Sequence, residues 1–310
     1  MDAPAGMSGM DRAGDEAIVD THQHFQSLSD AAYPWLDPDR PEPLEGDLSA
    51  IRRDYLPADY RRDTRGLGIV RTVHVQNGRN PHDPLDETRW LTGLADREGM
   101  PDAIVAHADL GAPDVEQVLE ELAGFPRVRG IRQILNWHVE PRLRSASAPD
   151  LMSSPAWRNG FGRLANLGLS FDLQIYWPQM APALDLAMAF PETAIVLDHF
   201  GMPADRGPEG IAGWRDGMRQ LARAPNVHVK LSGFGLGAPH WGPDSLLPLL
   251  REVIDLFGAD RTMVGTNIPV DLLFAPAARI VETIRDAVAD LTATERRAVL
   301  RGNAERFYRT

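Results

Sequence analysis

Two histidines separated by one residue close the apolar run Ile18-Val19-Asp20-Thr21-His22-Gln23-His24. An extended strand repeats every two residues, so the imidazoles of His22 and His24 share a face. Paired imidazoles can hold a divalent ion or position a water for attack. A bare His-X-His is more often two structural histidines, so the reading depends on what else in the chain reaches the same place.

Several other apolar runs also end in polar or titratable residues. These are Gln76-Asn77, His107 and Asp109, Arg132, Gln174 and Tyr176, Asp198-His199, Lys230 and Ser232, and Thr266-Asn267 with Asp271 slightly later. Each alone reads as a hydrogen-bonded structural residue. Together, on strands of one barrel, they describe a catalytic mouth. Lys230 is the only lysine in the chain and alternates with Val227, Val229 and Leu231, on the same face as His228. A buried amine is costly unless paired, so its partner is expected to be a substrate carboxylate or a neighbouring acid. Arg132 offers a planar fork suited to a carboxylate, with an ordinary salt bridge as the alternative. Trp35, Trp137, Tyr176 and Trp177 fall at or just beyond run ends, where aromatics either wall a pocket or pack loops.

The elements that must position these groups recur with a regular rhythm. Eight β-rich runs are expected at Ala17–Asp20, Ile69–Gln76, Ala103–Ala108, Gly130–Leu135, Leu169–Gln174, Ala194–Leu197, Val227–Leu231 and Thr262–Gly265. The run Ala194-Ile195-Val196-Leu197 is continuously apolar, as a buried parallel strand should be. Between the runs lie helical stripes, such as Val115, Val118, Leu119 and Leu122 before Gly124, and Leu246, Leu249, Leu250, Val253, Ile254 and Phe257 before Gly258. Thr292-Ala293-Thr294-Glu295 has the spacing of a capping box and should open a final helix through Phe307. Tyr33–Asp47 and Trp137–Ser154 follow strands and are expected to form the rim of the site. The pattern specifies an α/β chain folded as a (β/α)8 TIM barrel. No repeat, low-complexity tract or linker divides it, so 17–310 is expected to be one domain behind a disordered tail, Met1–Glu16.

Composition excludes whole classes of function. The formal charge of −12 argues against nucleic acid and favours a small-molecule substrate. There is no cysteine, which removes disulfides, thiolate nucleophiles and cysteine metal sites. No signal-peptide pattern and no apolar stretch of membrane-spanning length is present, so no membrane partner and a cytoplasmic location are expected. A homo-oligomer is compatible with everything in the sequence. Phosphate loops, dinucleotide fingerprints, Gly-X-Ser-X-Gly elbows and His-Glu-X-X-His helices are absent, leaving cofactor-dependent redox chemistry without support.

From about Ile18 to Tyr308 the chain resembles the amidohydrolase-2 family, and within it the sugar lactonases and pyrone dicarboxylate lactonases. The residues that carry the resemblance are Asp20-Thr21-His22-Gln23-His24-Phe25, Tyr33-Pro34-Trp35-Leu36, Glu87-Thr88-Arg89-Trp90-Leu91 and Gly130-Ile131-Arg132. Further on come Leu197-Asp198-His199-Phe200-Gly201-Met202-Pro203, Lys230-Leu231-Ser232-Gly233 and Gly302-Asn303-Ala304. The resemblance implies an amidohydrolase-like barrel in which His22, His24 and His199 stand beside a bound lactone and basic side chains hold its oxygens. It also implies that no metal is obligatory, as for many lactonases of the group, although the wider superfamily uses one or two divalent ions. A single zinc or similar ion, if bound, is expected to take His22 and His24 first.

Two departures matter. Where such lactonases commonly end the eighth strand with Ser-Asp-Trp-Pro, this chain has Thr266-Asn267-Ile268-Pro269, so the expected carboxylate base is an amide. Gln174 stands where metal-dependent relatives often place histidine, which argues against a binuclear centre. Some relatives carry Ser-Asn-Phe-Pro-Val-Asp here, so Asn267 marks a subgroup. The leading reading is a hydrolase opening a lactone or related cyclic ester of a small acidic or polyhydroxy substrate. His24 or His199 would be the base with Asp271 in reserve, and Asn267 would orient water or donate to the oxyanion. Arg132 and Lys230 would hold acidic groups, with Trp35, Gln76, Gln174 and Tyr176 completing the substrate site. Two rival readings remain: decarboxylation, hydration or ring rearrangement of a small acid on the same fold, and a barrel that binds a small acid without turnover.

Overall fold

A computed structural model describes residues 17–310; the expected tail Met1–Glu16 lies outside the described residues. Eight parallel strands follow one another around a single sheet in chain order: β1 (Ile18–Gln23), β2 (Ile69–Val75), β3 (Ala103–His107), β4 (Val128–Ile134), β5 (Ser170–Gln174), β6 (Ile195–Leu197), β7 (Val227–Leu231) and β8 (Thr262–Val264). The sheet nearly closes on itself. At the seam between the first and last strands, His24 N donates to the Ile268 carbonyl at 2.8 Å and Asn267 N to the His22 carbonyl at 2.7 Å. The eight expected runs and the (β/α)8 architecture are therefore present. β7 has the expected bounds and the other strands shift at one or both ends by one to three residues, most at β1, whose pairing extends past Asp20 to Gln23.

Helices cover the outside through the stripes legible in the sequence. Val115–Ala123 buries Val115, Leu119 and Leu122, and Pro243–Phe257 buries Leu246, Leu249, Leu250, Val253, Ile254 and Phe257. Each fully buried large apolar side chain stabilises the fold by about 1.5–3 kcal/mol relative to exposure. No helix among the described residues is long and apolar enough to cross a membrane.

The C-terminal segment differs from the single helix expected. The capping box forms, with Glu295 N donating to Thr292 Oγ1 at 3.3 Å and Thr292 N to Glu295 Oε2 at 2.9 Å. The helix then widens into a π-turn at Ala298–Gly302 before Asn303–Tyr308. Asn303 explains the change: its Nδ2 donates to the carbonyls of Ala259 and Thr262, both at 2.6 Å, tying the segment to the start of β8. Tyr308 is thereby inserted among the strand residues Val73, Val75, Val105, Val196 and Met263.

Over the strands' C-terminal ends a second apolar cluster gathers Tyr33, Leu36, Leu48 and Ile51 with Tyr176, Met202, Leu236 and Val270. It joins the loops that follow β1, β5, β6, β7 and β8. The site beneath is consequently framed by packed side chains and not by free loops.

Candidate active site

The site is built at the seam. Asp20 is fully buried in β1, and its carboxylate accepts from Tyr60 Oη and Thr266 Oγ1, each at 2.6 Å, and from Thr266 N at 2.8 Å. This side chain fastens the end of β8 to β1. Between Asp20 and Gln23, three steps on β1 match two on β2, a bulge that re-aims the histidines beyond it. Behind them, His74 accepts from Phe25 N at 3.0 Å through Nδ1, so its proton is on Nε2, 3.1 Å from Glu87. Glu87 also accepts from Asn77 N and Gly78 N, which fixes the turn presenting Gln76 and Asn77.

His24 Nδ1 lies 2.7 Å from the Val75 carbonyl, which can only accept, so the neutral ring carries its proton there. Nε2 is then a lone pair, 3.3 Å from Oδ1 of Asn267. Two lone pairs do not attract, so the pairing is satisfied when the amide turns its nitrogen towards His24. Burial, reinforced by Arg132 and His74, holds the His24 pKa well below the usual imidazole value. Asn267 itself adopts a left-handed backbone conformation, φ 56°.

His199 follows β6 in a run of unusual backbone: His199, Phe200, Gly201 and Met202 all have positive φ. Such conformations cost about 1–3 kcal/mol each in a non-glycine residue and persist where packing imposes them, often at functional sites. Phe200 is locked by Trp214, whose indole donates to the Phe200 carbonyl at 2.8 Å. His199 Nδ1 meets Ser232 Oγ at 3.0 Å. A Cβ on Gly233 would come within 2.5 Å of that nitrogen, so only glycine admits the ring. Burial takes the His199 pKa down to about 3, with Asp198 opposing and Arg132 and Lys230 assisting.

Lys230 does not reach the substrate space. It is 0% exposed, forms a short ion pair with Asp172 and stands 3.1 Å from Oδ1 of Asp198. The sequence expectation of a substrate-holding lysine is corrected for a physical reason: an ammonium sealed in the barrel needs carboxylates, and two are supplied there. Tyr308 donates to the same Asp172 at 3.0 Å. His22 lies in this layer too, its Nδ1 3.3 Å from Asp198 and its Nε2 3.3 Å from Arg132 Nη1. Burial pushes Asp198 up, but Lys230 and His22 outweigh it and hold the acid well below the usual carboxylate range. Asp172 is pushed up to about 6 by burial and by Asp198, against the pull of Lys230.

His22, Asp198 and His199 offer ligand atoms within 4.8 Å of one another, a set that could hold a metal ion. The expected pair His22 and His24 is thus replaced by His22, Asp198 and His199, because His24 turns its two nitrogens to Val75 and Asn267. By donor type the set suits zinc. By charge it does not: Lys230 Nζ is 3.4 Å from His22 Nδ1, and Arg132 covers the other nitrogen.

Above this layer opens a cavity of about 250 Å³, lined by His24, His199, Asn267 and Arg132 at its base and by Trp35, Gln76, Gln174 and Tyr176 on its sides. Asp271, the reserve base, is set back from it. Its Oδ1 accepts from Gly235 N at 2.9 Å, and burial pushes the acid up to about 7. Trp137 and Trp177 also stay outside the lining. Gln174 accepts from Arg132 Nη1 at 2.9 Å and donates to Asn136 at 3.0 Å, so it orients the guanidinium. The rim brings residues that sequence reasoning missed: Arg40 and Glu45 from the first long loop, Arg142 and Arg144 from the second. Burial raises the pKa of Glu45. Only the loops' position after strands pointed to them. Asp172 had a firmer signal, since it precedes Gln174 by two and shares its face of β5.

A family model described as "Amidohydrolase" matches residues 19–310. The chain is 41% identical over 295 residues to a Sinorhizobium fredii protein described only as uncharacterized, covering 95% of this chain and 99% of that one. It is 33% identical over 258 residues to a Burkholderia ambifaria protein named L-fucono-1,5-lactonase, covering 82% of this chain and 81% of the relative. Among solved structures it is similar to an amidohydrolase from Burkholderia multivorans with bound zinc. The TM-score is 0.79 at 26% identity, over 94% of this chain and 99% of that one.

Proposed function

The chain belongs to the amidohydrolase family, and from that premise we propose that it is a hydrolase opening the ring of a small lactone by attack of water on the carbonyl. The observation that carries this reading is the meeting of two neutral imidazoles, His24 and His199, with the amide of Asn267 and the guanidinium of Arg132 on one cavity wall. The similarity to an L-fucono-1,5-lactonase supports it.

In this mechanism a water displaces the direct contact between His24 and Asn267: His24 Nε2 accepts from that attacking water and the Asn267 amide nitrogen donates to it. His199 takes its proton as the oxygen closes on the carbonyl, with Asp198 behind the ring favouring the imidazolium that forms. Arg132 and the amide nitrogen of Asn267 stabilise the oxyanion. The same imidazolium then protonates the departing ring oxygen, which leaves the open hydroxy acid and a neutral His199. Both imidazoles are neutral at physiological pH because burial disfavours their charged forms, so the base is ready without prior deprotonation. A divalent ion, when bound in such families, polarises the carbonyl and acidifies water; no step here is routed through one.

The rim favours an acidic or polyhydroxylated lactone. Arg40, Arg142 and Arg144 surround the opening, and Trp35 and Tyr176 give it flat walls. Lys230 positions Asp198 and His22 and does not touch substrate. One specific observation favours a second reading: Asn267 stands where a carboxylate base would act, which suits decarboxylation or hydration of a small acid on the same scaffold. A pH-indicator assay across sugar lactones, muconolactones and pyrones tests the first reading. Acid release by the native chain that falls by about 10²–10⁴ in His199→Gln is the expected result. No acid release from any lactone would count against it.

A further inference from the structure

The layer beneath the cavity has a charge balance of its own. Two carboxylates, Asp172 and Asp198, face two cations, Lys230 and Arg132. All four are buried, and together they sum to zero without any further ion. His22, the central donor of the candidate metal set, is held on both sides: Nδ1 faces Asp198 Oδ1 at 3.3 Å with Lys230 Nζ 3.4 Å away, and the lone pair of Nε2 accepts from Arg132 Nη1 at 3.3 Å. The Asp198 oxygen nearest His22, Oδ1, is the one that Lys230 approaches to 3.1 Å. A divalent ion joining His22, Asp198 and His199 would have to enter where the ammonium already stands, and would add two positive charges to a neutral, water-excluded layer.

We propose that the ammonium of Lys230 is the resident cation of the His22, Asp198 and His199 cluster, so that the native chain takes a divalent metal only weakly and removal of this one charge opens a zinc site. The lysine does two things that a metal would otherwise do: it neutralises Asp198, and it fixes His22 against that carboxylate. Arg132 closes the opposite side of the ring and would remain after the lysine is removed. Its guanidinium is anchored by Gln174 Oε1 and the Gln76 carbonyl, at 2.9 and 2.6 Å, so it does not fill the vacated place. The inference stands on the charge layer and not on the identity of the substrate, so it survives or fails independently of the lactonase reading.

The test uses the full chain purified without added metal, titrated with zinc by equilibrium dialysis and with cobalt(II) by visible absorption. The native protein is expected to bind less than about a tenth of an equivalent at micromolar zinc, while Lys230→Met binds one equivalent at least about 100-fold more tightly, with tetrahedral cobalt bands. Lys230→Arg, which keeps the charge, should behave as the native chain does. Should Lys230→Met fail to fold because Asp172 loses its partner, the double variant Lys230→Met/Asp172→Asn removes that orphan charge and keeps all three ligands. Tight stoichiometric zinc in the native protein, lost in His22→Ala, would overturn the proposal. So would a folded charge-removal variant, judged by circular dichroism, whose zinc affinity matches the native chain.

Discussion

Nε2 of His24 stands 3.3 Å from the side chain of Asn267 across the seam where the last strand meets the first. Val75 holds the proton of His24 on the other nitrogen, so this contact joins a lone pair to an amide that can both donate and accept. A water between them and His199 would have one partner to accept from it and one to donate to it, which is the arrangement a nucleophile needs.

Replacing that amide is therefore a direct probe. Asn267→Leu should lower kcat by about 10²–10³ with a much smaller change in KM, the signature of contacts made chiefly in the transition state. Asn267→Asp should keep or raise the rate, because a carboxylate at this place can itself accept the proton. Steady-state kinetics of the two variants decide the point; a leucine variant with native kcat would remove Asn267 from the mechanism.

The glycine after Ser232 offers a probe that changes no functional side chain chemically but moves one of them. Gly233 has φ +66°, and an added Cβ would lie 2.5 Å from His199 Nδ1 and 2.6 Å from its Cγ. Gly233→Ala should displace the imidazole and reduce kcat by at least about 10²-fold, since small misplacements of reacting groups carry penalties of that order. A folded alanine variant with native kcat would show that the position of His199 is immaterial to turnover.

Stability should fall steeply on the acid side. His22, His24, His74 and His199 are buried with pKa values held down primarily by burial, to about 3 for His199. In the unfolded chain each returns to the ordinary imidazole value of 6.5. The unfolded state therefore binds more protons below that pH, and stability present above pH 6.5 is lost as pH falls towards the folded values, by up to about 1.4 kcal/mol per pH unit for each group. Asp271 acts in the opposite sense, since its folded pKa of about 7 exceeds the ordinary carboxylate value of 3.8 and its contribution fades as pH rises between the two. Asp20, Glu45 and Asp172 are raised as well, while His107 and His228 join the lowered histidines, so six groups against four leave a net acid loss. Urea midpoints at pH 7, 6 and 5 should decline in that order; equal midpoints would show that these histidines are not held neutral.

Much of this was legible in the residues. The eight strands could be read because buried parallel strands are short apolar runs between helical stripes, and the polar residue closing each run marks the mouth. His24, His199, Asn267 and Arg132 were placed that way and do share one cavity. Depth along the strand was not legible. Alternation puts Lys230 inside the barrel but does not say whether it meets solvent or the layer below, and its partner Asp172 lies 58 residues away in sequence. His24 keeps its ring 5.1 Å from His22 but points its nitrogens to Val75 and Asn267, beyond a bulge, a register event with no local signature here. The rim arginines lie in loops whose course is set by packing against Tyr176, Met202 and Val270 and not by a pattern of their own.

The most direct measurement follows oxygen. Turnover of a hydroxylated or carboxylated lactone in ¹⁸O-enriched water, with mass spectrometry of the product, should give the open hydroxy acid carrying one labelled oxygen in its new carboxylate for every ring opened by the native chain. A product that has lost carbon dioxide, or one that has gained no solvent oxygen, would contradict water attack on a ring carbonyl at this site.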